Sequence, residues 1–253
     1  AIAAAHRRFG TTAIAPTVIT DAPEVLRAAL EAAAQPIAGS LGAHVEGPFI
    51  DVRRKGAHPA QHIRVMTEAD ADALIAARVR VVTVAPASVS LALIGKLAAA
   101  GVIVSLGHAE ATEVEARACF DAGVRSVTHL FNAMSPLGSR EPGVVGAALD
   151  DERVFAGFIA DGLHVEATAG RLAYRLKGAS RLALISDAMP PAAGGADEYE
   201  LGGRSVRREG LGLRLDDGTL AGAVIVMHDA VRFAVEAWGA PLGDALQMAT
   251  STP

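Results

Sequence analysis

The sequence contains one cysteine, Cys119, in 253 residues, so no disulfide can close within the chain. That usage suits a reducing compartment, and a cytoplasmic protein is expected. No apolar run reaches the ~20 residues that a membrane-spanning helix needs. The first residues, AIAAAHRRFGTT, have no charged segment leading into an apolar one, so they do not read as a signal peptide. Basic residues are too dispersed to leave a nucleic-acid footprint: the formal net charge is −5, and the longest basic run is Arg53-Arg54-Lys55. Lysine is scarce. Lys55, Lys96 and Lys177 all lie away from predicted strand ends, which removes the Schiff-base chemistry of an aldolase-type barrel. There is no internal repeat and no low-complexity tract beyond an enrichment in alanine.

What remains is 51% hydrophobic, 20% charged and has a mean hydropathy of +0.32, a globular composition long enough to bury a large core. Short β-branched runs at 12–20, 41–47, 80–86, 102–108, 126–131, 155–162 and 182–188 predict strands. Between most of them lie stretches with apolar residues at i, i+3 and i+4, such as APEVLRAALEAAA and ATEVEARACFDAG. Gly101, Gly123 and Gly178 stand where helix-ending glycines belong. Apolar strands alternating with helices imply a parallel sheet, in a (β/α)8 barrel or a doubly wound fold. After Asp187 the pattern gives way to a Pro/Gly-rich stretch with Asp-Gly at 217–218, which predicts a small hairpin excursion at about 190–222.

The polar residues decide between the two architectures. Glu46, His108, His129, the pair Asp161 and His164, and Asp187 all fall at or just past strand ends. In a barrel those ends converge on one mouth, whereas the outer strands of an open sheet would hold them apart, so a barrel is the expected fold. One carboxylate and two imidazoles are a common donor set for a catalytic divalent metal that keeps a position open for water or substrate. Any one of these residues alone would more often serve a loop; three at equivalent strand ends form a set. Asp187, directly after the apolar LALIS, suits a general base. Its alternative role as a helix N-cap is disfavoured by the Met-Pro-Pro that follows.

The segments HVEGPFI, RKGAH, SLGHAEAT, THLFNAM, GSREPG, IADGLHV, LISDAMPP and TLAGA occur in this order. Together they closely resemble the N-acetylglucosamine-6-phosphate deacetylase family of the amidohydrolase superfamily, over essentially the whole chain. The resemblance implies metal-dependent removal of acetate from N-acetylglucosamine 6-phosphate. Glu46, His108 and His129 match the metal ligands and Asp187 the general base and acid. His58 matches a histidine that polarises the acetamide carbonyl. Ala57, Asn132, Ala133, Arg140, His164 and the stretch Leu220, Ala221 and Gly222 match substrate contacts. Arg140 is implied to reach into the neighbouring site of a homodimer; on its own it would read as a loop charge paired with Glu141. The cofactor implied is one divalent ion, zinc first and iron as an alternative, with a second metal position left open.

The resemblance also implies chain beyond both ends: a first barrel strand before residue 1 and β-sandwich segments on either side. The 253 residues would then be a barrel of seven recognisable βα units, and a fragment. Ala223 stands where the family more often has serine. Two other readings stay open, the galactosamine epimer as substrate and a catalytically inactive sugar-phosphate-binding fragment.

Overall fold

A computed structural model describes residues 1–253. Two compact units make up the chain, Thr12–Val154 and Ala1–Thr11 together with Phe155–Pro253.

In the unit 12–154, five strands pair in parallel and in sequence order: β1 (Thr17–Ile19), β2 (His44–Glu46), β3 (Val81–Val84), β4 (Ile103–Leu106) and β5 (Ser126–Val127). Parallel neighbours need long crossovers, and helices supply them. These are α2 (Pro23–Ala33), α3 (Glu68–Ala76), α4 (Leu91–Ala99) and α5 (Glu113–Ala122); α6 (Gly143–Asp150) follows β5. The strands are valine-rich because both of their faces are covered. Val45, Val82, Val104 and Val127 are buried, and Ile94 and Leu97 of α4 and Phe120 of α5 complete the core around them. Helix starts are set locally. Thr67 with Asp70 and Thr112 with Glu115 form capping boxes at α3 and α5, in which each hydroxyl accepts the N–H that its partner's residue presents. At the other end of α5, Gly123 adopts φ +128°, as the sequence pattern anticipated.

Two expected strands are shorter than their apolar runs. The run 12–20 pairs as a strand only over 17–19, with an isolated bridge between Ile14 and Ser40. The run 126–131 stops at Val127, because His129 and Phe131 turn into left-handed backbone at φ 38° and 79°. Leu130 in between is fully buried, so hydrophobicity alone suggested more strand than the backbone makes.

One polar side chain from each strand region of this unit joins a continuous row of hydrogen bonds. Thr17 Oγ1 lies 2.9 Å from His44 Nδ1, and His44 Nε2 lies 2.8 Å from Thr83 Oγ1. Thr83 Oγ1 is 2.7 Å from Thr128 Oγ1, which is 2.7 Å from Ser105 Oγ. Gly107 leaves the space in which Thr83 and Thr128 meet: a Cβ there would sit 2.8 Å from Thr83 Cγ2 and 2.9 Å from Thr128 Cβ.

The other unit begins with α1 (Ile2–Arg7), where the sequence also suggests a helix. Its parallel pair is β6 (Phe155–Ile159) and β7 (Leu182–Ile185), joined by α7 (Ala167–Lys177). The helices α8 (Met227–Trp238) and α9 (Leu242–Ala249) end the chain. Trp238 meets Phe158 edge-on at 5.1 Å, and a Cβ on Gly170 of α7 would stand 2.6 Å from the indole. The excursion is larger than the expected small hairpin. It is a four-stranded antiparallel meander, β8 (Glu198–Leu201), β9 (Arg204–Glu209), β10 (Gly212–Leu215) and β11 (Leu220–Ala223). Charged and apolar residues alternate along β8 and in the Leu213–Leu215 part of β10, a pattern easily lost among the glycines of the turns. No helix of the chain is long and apolar enough to cross a membrane.

Candidate active site

Glu46 is the last residue of β2, while His108 and His129 each stand two residues past the end of a strand. Both histidines have left-handed backbone, φ 47° and 38°. Few non-glycine residues adopt that conformation, and it concentrates at functional positions. The turn swings each imidazole back towards Glu46. His129 Nε2 lies 3.0 Å from Glu46 Oε1, His108 Nε2 lies 3.2 Å from the same oxygen, and the two Nε2 atoms are 3.1 Å apart. All three side chains are buried. Burial on its own would raise the Glu46 carboxyl, but the hydrogen bonds and charge of His108 and His129 outweigh it and hold the group well below the usual carboxylate range.

The donor set fits a divalent metal. Ligand atoms about 2.0–2.1 Å from a tetrahedral ion are separated by about 3.3 Å, and the three atoms here already stand close to that spacing. His108 has the tautomer a ligand requires. Its Nδ1 is 2.8 Å from the carbonyl of Arg54, which can only accept, so Nδ1 carries the proton and Nε2 offers its lone pair. The His108 loop is pinned on both sides, since Asp51 N–H donates to the His108 carbonyl and Ala109 N–H to that of Ala133.

His58 belongs to the same cluster. It is only 3% exposed, its ring centre is 4.4 Å from that of His108, and metal-capable atoms of Glu46, His58 and His108 lie within 4.8 Å of one another. Burial, with smaller contributions from His108 and His129, pushes its pKa down to about 3, so it is neutral. Thr20 contacts it through both the hydroxyl and the backbone N–H. Sequence reasoning missed Thr20. It closes a β-branched run, where threonine passes for an ordinary strand residue, and only its place at the strand end hinted at more.

The remaining candidates of this unit lie in the loops after β2 and β5. Ala57 is half-buried beside His58. Asn132 turns its NH2 onto the carbonyls of His129 and Leu130, so that part of its amide braces the loop. Ala133 has φ 50°. Arg140 is exposed and is not paired with Glu141, whose Oε1 instead accepts the N–H groups of Glu113 and Gly143 at 2.7 and 3.0 Å. The pairing that would have made Arg140 an ordinary loop charge is therefore not formed.

In the other unit, Asp187 stands two residues past β7 with φ 45°, the same strand-end turn as the two histidines. It caps no helix, since the short 3-10 turn that follows begins after Met189. β11 is stitched to its loop. Ala223 N–H donates to the Asp187 carbonyl at 2.9 Å, and Met189 N–H to the Ala223 carbonyl at 3.0 Å. Leu220, Ala221 and Gly222 thus lie on the strand that borders Asp187. A Cβ on Gly222 would be 2.5 Å from Met189 Cγ. Tyr199 of β8 is close enough to feel the charge: burial, and then Asp187, push its phenol up to about 12. His164 is held by Asp161, whose Oδ2 is 2.6 Å from Nδ1 and whose Oδ1 accepts the N–H of Leu163 and of His164. Burial would raise the Asp161 carboxyl, yet these bonds and the nearby imidazole hold it low.

Comparison with known proteins gives a consistent set of relatives. No protein-family model matches the chain. It is 44% identical to the N-acetylgalactosamine-6-phosphate deacetylase of Shewanella sp. (strain ANA-3), over 98% of this chain and 65% of that protein. It is 38% identical to the protein of the same name from Escherichia coli O157:H7, over 97% of this chain and 68% of that one. Among solved structures it resembles a variant of the N-acetyl-D-glucosamine-6-phosphate deacetylase of Mycobacterium smegmatis, in complex with N-acetyl-D-glucosamine 6-phosphate. That match has a TM-score of 0.90 at 36% identity, and covers 96% of this chain and 66% of the other. The chain thus spans about two thirds of the length of the relatives it matches.

Proposed function

The chain belongs to the family of N-acetylglucosamine- and N-acetylgalactosamine-6-phosphate deacetylases, and from that premise we propose that it removes acetate from N-acetylglucosamine 6-phosphate. The reaction is amide hydrolysis: a C–O bond forms from water, the C–N bond breaks, and the products are glucosamine 6-phosphate and acetate. The observation that carries the proposal is the convergence of Glu46 Oε1, His108 Nε2 and His129 Nε2 within 3.0–3.2 Å, with the His108 lone pair turned inward.

These three residues would hold one divalent ion, zinc by the character of the donor set, although iron also suits it. When bound, the ion acts as a Lewis acid that polarises the acetamide carbonyl and makes water a competent nucleophile near neutral pH. The chain's residues manage the protons and the orientation. Asp187 is assigned the proton of the attacking water, which it returns to the departing amine. His58, neutral and buried, donates a hydrogen bond to the carbonyl oxygen as negative charge grows there, an interaction of the oxyanion-hole kind. Asn132, Ala133, Ala57 and the Leu220–Gly222 stretch are assigned to the sugar. His164 and Arg140 are assigned to the phosphate, where the planar guanidinium suits paired phosphate oxygens. Arg140, exposed and not held by Glu141, suits a residue serving a neighbouring protomer, and a homodimer is part of the proposal.

The fold that accompanies this function is a (β/α)8 barrel, residues 1–253 forming one hydrolase domain in which the seven parallel strands are seven of the eight. The TM-score of 0.90 to the mycobacterial enzyme supports it. A cytoplasmic setting accords with the single, buried cysteine, whose thiol burial pushes up to about 11.

A second reading is favoured by one finding: the Shewanella and Escherichia coli relatives are named for the galactosamine epimer. Acetate release from both epimers, measured with added zinc beside an Asp187→Asn control, tests the two together. Turnover lost in the control is expected, with a fall of about 10²–10⁴-fold for removal of a general base. A preference for the galacto substrate would move the assignment to the epimer. Absence of turnover on either, from a folded and metal-loaded chain, would overturn both.

A further inference from the structure

Two neighbouring histidines in the cluster are each held by a backbone group whose hydrogen-bonding sign is fixed. His108 Nδ1 faces the Arg54 carbonyl, an obligate acceptor, at 2.8 Å. His58 Nδ1 faces the Thr20 backbone N–H, an obligate donor, at 3.3 Å, and the Thr20 hydroxyl at 2.8 Å. A neutral imidazole has one N–H and one lone pair. His108 must therefore carry its proton on Nδ1 and His58 on Nε2. The rings are 4.4 Å apart and hold opposite tautomers.

We propose that Thr20 is a positioning residue that locks the His58 proton on Nε2, making His58 a hydrogen-bond donor to the reacting carbonyl and barring it from serving as a metal ligand. Ligation through Nε2 would require the proton on Nδ1, where it would point at the Thr20 N–H. The hydroxyl could turn to accept that proton, but the buried Thr20 N–H would then face another donor and lose its acceptor, an arrangement proteins avoid. The lock removes an ambiguity that composition alone leaves, because a ligand-type atom of His58 lies within 4.8 Å of those of Glu46 and His108. Ligand and donor are separated by which nitrogen holds the proton.

The surroundings are shaped for this contact. Thr20 has no solvent exposure. Gly47 follows the ligand Glu46 with φ +79°, and a Cβ there would stand 2.1 Å from Thr20 Oγ1 and 3.4 Å from His58 Nδ1. A side chain at position 47 would occupy the place of the hydroxyl, so the glycine is what lets Thr20 reach the ring. Once the backbone N–H has fixed Nδ1 as the acceptor, the hydroxyl also donates to it, and Thr20 supplies both restraints.

The consequence for catalysis rests on the deacetylase reading; the tautomer does not, and the test separates them. The probe is the ¹⁵N-histidine-labelled chain, its rings read by long-range ¹H–¹⁵N NMR with and without added zinc, and His58 assigned by its loss in His58→Gln. Expected is a His58 with a protonated Nε2 and a hydrogen-bonded, unprotonated Nδ1, whose protonation pattern zinc leaves unchanged. Thr20→Val removes the hydroxyl but keeps the backbone N–H, so Nδ1 should stay unprotonated with a weaker hydrogen-bond signature, and kcat should fall by about 10–100-fold, the usual cost of losing an orienting partner of this kind. KM and zinc content should change little, and Thr20→Ser should restore both the Nδ1 signature and the rate. A His58 protonated on Nδ1, or one that loses its Nε2 proton when zinc is added, would overturn the proposal. So would a Thr20→Val chain protonated on Nδ1, or one whose Nδ1 signature and rate both match the parent. Should Thr20→Val fail to fold, the wild-type and Thr20→Ser spectra still decide. A wild-type chain with the expected spectrum and no turnover would count against the deacetylase reading while leaving the lock standing.

Discussion

In the strand-end cluster, polar groups are buried and meet partners of fixed sign: the Arg54 carbonyl for His108, the Thr20 N–H for His58. In the β8–β11 sheet, Arg204, Arg207, Arg208 and Arg214 instead reach Asp217, Glu198, Asp197 and Glu209 at 2.7–3.6 Å across exposed surface. The first arrangement spends free energy on desolvation and gains orientation. The second loses little on desolvation and gains little, because water and salt screen it. The two kinds of contact thus carry very different consequences, and substitutions should expose the difference in order.

The largest effect should come from Glu46→Gln. Removing the single charge shared by His108 and His129 is expected to abolish stoichiometric zinc uptake, read by metal analysis of the purified chain; full occupancy in the variant would refute the ligand assignment. Gly107→Ala should come next. The added methyl meets Thr83 and Thr128 under 3.0 Å, and overpacking of this kind costs roughly 1–3 kcal/mol. A denaturant midpoint equal to that of the parent would show that the row of hydroxyls yields more easily than described.

Asp70 is an intermediate case, a surface carboxylate that caps α3 and pairs with Arg64 at 2.6 Å. The Arg64 hydrogen bonds, with the Thr67 cap outweighing some desolvation, bring its pKa from 3.8 down to about 2. A carboxyl whose folded pKa is depressed stabilises the fold fully above its unfolded value and loses that contribution as pH falls. Asp70→Asn should therefore cost about 1 kcal/mol at neutral pH, a typical capping value. The gap in stability between parent and variant should shrink as pH falls from 3.8 towards 2, and a gap independent of pH would refute the assignment. Arg207→Ala should be the smallest change, below about 0.5 kcal/mol by chemical denaturation. A loss comparable to that of Gly107→Ala would erase the contrast between the two regions.

The same contrast bears on what could be read from the chain before its structure. The seven parallel strands were legible because runs such as VVTV and LALI are largely apolar, and the strand-end positions of Glu46, His108, His129 and Asp187 because polar residues there interrupt an otherwise apolar text. The meander was not legible in full: its strands are only four to six residues long, and its glycines fall in turns that resemble loop. Nor were the contacts made by backbone atoms, since the Arg54 carbonyl and the Thr20 N–H have no side-chain signature. The end of β5 was misjudged for a related reason. A left-handed His129 breaks the strand, and histidine carries no mark of that conformation.

The row from Thr17 through His44, Thr83 and Thr128 to Ser105 has one more implication. A hydroxyl gives one proton and a neutral imidazole gives one, so neighbouring links cannot choose their direction independently. With both His44 nitrogens engaged, an Nδ1–H that points to Thr17 obliges the Thr83 proton to point back to the ring, that of Thr128 to Thr83 and that of Ser105 to Thr128. The tautomer of one ring can therefore set the proton direction of hydroxyls on three further strand regions. A Thr83→Val substitution would cut the link through which His44 acts on Thr128 and Ser105.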